Sequence, residues 1–351
     1  MTGDTKYFPN MTESDRVQNQ TCDCSIDEFK RAVFPVAYLL IFLMGLTANC
    51  ASLWVFLRMC RKGRRLTTVN LYMVNLLVSD LMLVCTLPLR AAYYLLDSYW
   101  PFGDIACRLA SYVFYINMYG SVYFLLALSV IRYMAVSHPF KFLRLDNGPW
   151  GWVGCVLIWV FVSLVSAPLL SSGIQKGEGG KIHCLELGKM GLDTMIILNS
   201  AAFVVGFALP FVVISVCYMC VLRSLCQPRA GRDGNRPSRR KSFALVGLGL
   251  LIFVVCFLPY HVVRTIFLEA EQNAQKNGCR DPCSGINGIR KAAVVTLCLA
   301  AGNSCLDPFL FFFVGENFRD ICMRKARRSG IVERQAEAQE LQVVELTEMM
   351  V

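Results

Sequence analysis

The chain is predicted to be all-α, a seven-transmembrane helix bundle with a short amphipathic C-terminal helix. Three observations carry that prediction: seven long apolar runs, basic residues gathered in alternate loops, and single polar residues set deep inside the runs. The 351 residues are 55 % hydrophobic and only 17 % charged, with mean hydropathy +0.48, which is too apolar for a soluble enzyme. A bilayer core of about 30 Å needs about 20 apolar residues per helix. Only helices and closed barrels satisfy their backbones in lipid, and runs of this length are helices. Their spacing places spans over 33–57, 69–96, 106–135, 149–170, 195–225, 241–268 and 289–313. The organisation that follows is a tail over 1–31, the bundle over 32–314, an amphipathic membrane-surface helix over 315–328 and a second tail over 329–351.

Orientation follows from the basic clusters. Arg58, Arg61, Lys62, Arg64 and Arg65 follow the first run; Arg223, Arg229, Arg232, Arg236, Arg239, Arg240 and Lys241 follow the fifth; Arg319, Arg324, Lys325, Arg327 and Arg328 follow the seventh. These loops lie on one side, which the positive-inside rule makes cytoplasmic. The N-terminal tail is then extracellular and the protein a multi-pass plasma-membrane protein. A net charge of +10 is accounted for by this topology, so no nucleic-acid partner is expected. Residues 1–30 hold no apolar core, so a cleavable signal peptide is not expected and the first span serves as the targeting signal. Two sequons, Asn10-Met11-Thr12 and Asn19-Gln20-Thr21, make Asn10 and Asn19 glycosylation candidates. Cys22, Cys24, Cys107, Cys184, Cys279 and Cys283 form an even extracellular set, which predicts disulfides. No cysteine or histidine spacing matches a zinc site.

Each run has a distinguishing feature. The first contains Asn49; the second contains Asp80 and ends Leu87-Pro88-Leu89-Arg90. The third begins after Cys107, carries Asn117 and ends Ile131-Arg132-Tyr133. The fourth holds Trp159 and Pro168, and the fifth Pro210 and Tyr218. The sixth reads Cys256-Phe257-Leu258-Pro259-Tyr260, and the seventh Asn303-Ser304-Cys305-Leu306-Asp307-Pro308 on to Phe311. An ionisable group near the bilayer centre costs roughly 2.5–3.5 kcal/mol, so such residues mark functional sites by default. Spread over several spans, they predict one buried polar network. Pro259 and Pro308, beside that network, are expected hinges, since proline removes a helix hydrogen bond. Glu316 to Cys322 is amphipathic and should lie on the inner surface.

Taken in order, one per span, these motifs resemble the class A (rhodopsin-like) G-protein-coupled receptors over about residues 30–325. The resemblance implies a G-protein socket built around Arg132 and Tyr218, with Phe257, Pro259 and Phe311 in the switch. Three positions depart from the family pattern. Ile131 stands where an acid usually pairs with the arginine, Phe257 replaces a tryptophan, and Phe311 replaces a tyrosine. The resemblance also implies a Cys107–Cys184 bridge, and a second from Cys22 or Cys24 to Cys279 or Cys283. Asp80, Asn117, Ser121, Asn303, Ser304 and Asp307 match the family's sodium pocket, implying an allosteric sodium ion as the only metal and no other cofactor. Cys322 is a palmitoylation candidate. With only Ser329 and Thr347 in the tail, arrestin is expected to be a weak partner.

A closer similarity, nearer to the type 2 branch, is to the cysteinyl leukotriene receptors. It rests on Asp27-Glu28-Phe29-Lys30-Arg31, Thr86 to Arg90, Trp100-Pro101-Phe102-Gly103-Asp104, Asn117-Met118-Tyr119, Phe257 to His261 with Arg264-Thr265, and Gly315-Glu316-Asn317-Phe318. The residues themselves argue for an anionic ligand. Arg90 follows a proline one turn inside the outer end of its span, and Arg264 lies five residues past Pro259. Lys30, Arg31, Arg290 and Lys291 add charge at the outer mouth, and guanidinium captures carboxylate or phosphate bidentately. Snorkelling to headgroups is the other reading of Arg90. Tyr38, Tyr115, Tyr119 and Tyr260 are candidate aromatic walls, Tyr115 and Tyr119 sharing one helix face. The resemblance turns "anion" into cysteinyl leukotriene, an amphipathic lipid mediator, and implies Gq-type coupling to phospholipase C and calcium release. A nucleotide or dicarboxylate of the same receptor branch is the alternative. A transporter is disfavoured by the lack of internal repeats, and an intramembrane protease by the lack of GxGD or HExxH.

Overall fold

A computed structural model of the protein describes residues 25–61, 67–171, 173–177, 180–184, 191–226, 246–277 and 283–314. Seven of its helices are long and apolar enough to cross a membrane: Asp27–Arg61, Thr68–Leu95, Gly103–Ser137, Trp150–Ser171, Leu192–Ser224, Val246–Ala274 and Gly285–Leu310, hereafter spans 1 to 7. The protein is therefore an all-α, multi-pass membrane bundle. The amphipathic stretch 315–328, the sequons at Asn10 and Asn19, and Cys22, Cys24, Cys279 and Cys322 lie outside the described residues.

Span 1 starts inside the stretch expected to be tail. An apolar-run criterion stops at the first charge, whereas the helix continues to Asp27 with acids in its first turn, where the helix dipole favours them. Lys30 Nζ pairs with Asp27 Oδ1 at 3.0 Å, and Arg31 Nη2 pairs with Asp97 Oδ1 at 2.7 Å. Span 3 runs through the centre and is the most buried of the seven. Spans 2 and 4 meet where Trp159 Nε1 donates to Asn75 Oδ1 at 2.8 Å. Gly154 makes that approach possible, because a Cβ there would collide with the Tyr72 hydroxyl.

Both ends of the bundle carry structure that apolar runs do not announce. At one end β1 (Gln175–Lys176) pairs antiparallel with β2 (Ile182–His183). The hairpin is tied to the start of span 3 by the Cys107–Cys184 disulfide, and Trp100 N donates to Ile182 O at 2.8 Å. At the other end a short helix, Pro139–Asn147, offers Asp146 Oδ1 to Thr68 N at 2.7 Å, capping span 2 alongside Thr67.

Spans 5 and 6 share one irregularity. Each widens into a π-turn immediately before its proline: Val204–Ala208 precedes Pro210, and Phe253–Phe257 precedes Pro259. Proline donates no hydrogen bond and its ring crowds the carbonyl four residues back, so the preceding turn takes an extra residue. Leu209 N accordingly donates to Val204 O and Leu258 N to Phe253 O. The widened turns let consecutive residues face inward: Gly206 and Phe207 are both buried, as are Cys256 and Phe257. Phe207 and Phe253 stack across the spans at 5.3 Å. Span 7 breaks at Gly302, whose N–H is shared between Cys298 O and Leu299 O, and helix resumes at Asn303 with Pro308 inside it.

Candidate ligand site and buried polar network

A cavity of about 480 Å³ opens at the end of the bundle that carries the hairpin. Arg90, Tyr115, Tyr260, Arg264 and Lys30 line it, together with Phe114 and Leu169. Arg90 is 5 % exposed, and its side chain reaches inward, so it does not snorkel. Nη2 donates to Ala110 O of span 3 at 2.9 Å, the guanidinium carbon stands 4.5 Å from the centre of the Phe114 ring, and Nε has no partner. A neutral carbonyl and a ring face attract the cation without cancelling its charge.

The mouth is less cationic than the sequence suggests. Lys30 is occupied by Asp27 and Arg31 by Asp97. Arg290 forms a two-pronged pair with Glu271, Nε to Oε1 at 2.6 Å and Nη2 to Oε2 at 2.9 Å. Lys291 is exposed, lines neither cavity and stands over Phe29 at 5.5 Å. Among the described residues Arg90 and Arg264 are the cavity-lining cations with no carboxylate partner. Tyr38 also falls outside the cavity lining: it is fully buried behind Phe34, stacked at 5.2 Å. Phe34 of span 1 and Tyr94 of span 2 pack around it, and its side chain lies against Arg90.

A second cavity of about 230 Å³ adjoins the first and shares Tyr115, Leu169, Tyr260 and Arg264 with it. Tyr119 lines only this one. Its walls are nearly all apolar, and Phe161, Val165, Leu198 and Val205 also lie exposed on the outer surface of spans 4 and 5. The second chamber therefore reaches the lipid-facing side. Sequence reasoning missed it, although Tyr115, Tyr119 and Tyr123 continue one series at four-residue spacing and all three line it. No sequence signal distinguishes the cavity-lining valines and leucines of spans 4 and 5 from those that simply face lipid.

Deeper in the bundle, Asp80, Asn117, Ser121, Asn303, Ser304 and Asp307 are all buried. Asn117 Nδ2 donates to Asp80 Oδ1 at 2.9 Å, and Asn303 Nδ2 to Asp307 Oδ2 at 3.4 Å. Asn49 Nδ2 fastens span 1 to span 7 through Ser304 O at 2.8 Å. Asp80 Oδ2, Asp307 Oδ1, Asn303 Oδ1 and Ser121 Oγ have no protein partner. Two buried carboxyl groups thus face several unused oxygen acceptors, a donor set suited to a hard cation.

At the opposite end Arg132 makes no ion pair among the described residues, and its Nε is buried without a partner. Ile131 is buried in the apolar core beside it. Tyr218 lies half-buried on span 5. Phe257 is fully buried against Phe253 at 5.7 Å, two residues before Pro259. The Phe311 and Cys283 side chains lie outside what is described, although both residues belong to helices.

Seven spans, a ligand-sized cavity at one end, a buried polar network and an unpaired arginine at the other define a transmembrane receptor. Residues 48–311 match the family "7 transmembrane receptor (rhodopsin family)", and the chain belongs to it. It is thus a G-protein-coupled receptor and not an enzyme. It is 42 % identical to the cysteinyl leukotriene receptor 2 of Homo sapiens over 322 residues, spanning 92 % of this chain and 88 % of that protein. To the cysteinyl leukotriene receptor 1 of Homo sapiens it is 36 % identical over 305 residues, 86 % and 88 % of the two chains. The uracil nucleotide/cysteinyl leukotriene receptor of Homo sapiens shares 35 % over 287 residues, 82 % and 74 %. The type 2 receptor is therefore nearer than type 1.

The unpaired Arg132 leads to a prediction. An Ile131→Asp change supplies an adjacent carboxylate, and an ion pair worth about 1 kcal/mol would shift the resting balance about fivefold. Ligand-free nucleotide exchange on a co-reconstituted G protein should fall accordingly; equal basal rates in the two proteins would contradict the claim.

Proposed function

We propose that this protein is a plasma-membrane receptor for an amphipathic anion of the cysteinyl leukotriene class, with its N-terminus and ligand cavity outside the cell. One observation carries the reading: a chamber lined by two guanidinium groups without a carboxylate partner shares a wall with an apolar chamber that reaches the lipid side. The first suits a carboxylate-bearing, peptide-like head, captured by Arg90 and Arg264. The second suits a hydrocarbon tail, with Tyr115, Tyr260 and Arg264 at the junction. The names of the relatives agree with this ligand class. A nucleotide, the alternative raised by one relative's name, would use the arginines but leave the apolar chamber without a function.

Ligand capture at one end must reach the other. The binding-chamber residue Tyr119 lies 6.4 Å from the His261 ring, His261 5.0 Å from Phe207, and Phe207 5.3 Å from Phe253, which packs on Phe257. Of these rings Phe207, Phe253 and Phe257 sit on the two π-turns, where spans 5 and 6 depart from regular hydrogen bonding. Rearrangement there would open the Arg132 end to a G-protein helix. The partner proposed is of Gq type, acting through phospholipase C and calcium, with arrestin engaged weakly. The oxygen-lined site around Asp80 and Asp307 would take a sodium ion. If the ion is bound only in the collapsed state, it favours rest.

Two tests follow. Arg90→Ala and Arg264→Ala should each weaken leukotriene potency in a calcium assay by about tenfold or more, at normal surface expression. Unchanged curves, or full responses to nucleotides or dicarboxylates in place of leukotrienes, would overturn the ligand assignment. Separately, sodium should lower agonist affinity relative to N-methylglucamine, and Asp80→Asn should abolish the difference. Equal affinity in the two salts would remove the ion.

A further inference from the structure

We propose that Gly206 sets the tail-length selectivity of the ligand site, by leaving room for the Tyr119 ring to lie against span 5 and clear of the apolar chamber. The inference rests on the ligand reading above and names a determinant within that same site. Gly206 lines the apolar chamber from the π-turn of span 5. A Cβ built on it would lie 2.5 Å from Tyr119 Cε1 and 2.9 Å from Cδ1, closer than carbon atoms can approach. Any larger residue must therefore displace the ring or the span.

The ring has few places to go. Tyr115 stacks beside it at 6.3 Å with an interplanar angle of 24°, and His261 stands at 6.4 Å. Tyr119 is 8 % exposed, and the open volume beside it is the chamber it lines. A side chain at 206 would push the ring into that chamber and shorten it. The head chamber would be untouched, because neither Gly206 nor Tyr119 lines it. The π-turn is part of the device: the extra residue before Pro210 lets Gly206 face the chamber while Phe207, next in sequence, packs on Phe253.

The experiment is a binding series with S-alkyl glutathiones of increasing chain length, on receptors carrying Gly206→Ala, Tyr119→Ala or both. The wild type should bind more tightly as the chain grows. Gly206→Ala should leave the shortest member within about twofold and cost the longest about tenfold or more, the range for one methylene misfitting a shaped pocket. In the Tyr119→Ala background the same change should cost nothing further, since the ring it displaces is gone. Should Gly206→Ala alone fail to reach the cell surface, recovery of expression in the double variant would support the contact, and failure of both would overturn it. An equal loss for short and long chains, or an undiminished loss in the double variant, would overturn the tail claim alone. A wild-type receptor that binds no member overturns the ligand reading, and the tail claim with it.

Discussion

A cation held inside a membrane bundle without a counter-charge is the constraint around which this protein is organised. Arg90 is buried between spans 2 and 3, where it meets the Ala110 carbonyl, the Phe114 ring face and the Tyr38 side chain, none of which carries a negative charge. Removing a charge from water is costly unless an opposite charge repays it. The nearby carboxylates are already engaged, Glu271 by Arg290 and Asp27 by Lys30. The site is thus completed by something that is not part of the chain. This distinguishes Arg90 and Arg264 from Lys30, Arg31, Arg290 and Lys291, which are paired with neighbours or lie exposed. Composition alone cannot make that distinction, because it counts charges without their partners.

The same electrostatic logic recurs at two further levels. In the middle, Asp80 and Asp307 have unused oxygen atoms around them and, among the described residues, no basic side chain hydrogen-bonded to either. At the far end Arg132 lacks the acid that its position in the sequence would ordinarily supply, Ile131 standing there instead. Three buried charge centres at three depths are each incomplete in the protein alone. On the reading proposed above, a ligand, a cation and a G protein would complete them, each favouring whichever arrangement of spans brings its own groups together. Between the levels lie the two π-turns, with aromatic rings in contact from Tyr119 to Phe257. Contact alone is not coupling, but a turn with one residue too many is a place where register can change.

The bundle was legible because lipid imposes a strict rule: every backbone group must be satisfied within its own helix, which leaves runs of a fixed minimum length. The ends were less legible. Span 1 extends to Asp27 through charged residues that a hydropathy reading discards, and the short helix at Pro139–Asn147 forms beyond the apolar run. Within the site, the residue types that carry charge were readable, and Arg90, Arg264, Tyr115 and Tyr260 do come together around one cavity. Which charges are cancelled was not readable, because Arg290 and Glu271 meet only when spans 6 and 7 pack. Tyr38 lies behind the cavity lining for a related reason: a tyrosine facing Phe34 and one facing a cavity have the same sequence signature. The apolar chamber between spans 3, 4 and 5 left no trace beyond the Tyr115–Tyr119–Tyr123 spacing, since absence of volume, as at Gly206, is visible only against its neighbours.

The most direct measurement is an electron cryo-microscopy structure of the receptor bound to a cysteinyl leukotriene and a G protein. The account predicts ligand carboxylates within about 3 Å of both the Arg90 and Arg264 guanidinium groups, with the hydrocarbon chain running past Tyr119 toward spans 4 and 5. A ligand whose anionic head lies elsewhere, with both guanidinium groups turned to the lipid headgroups, would contradict it.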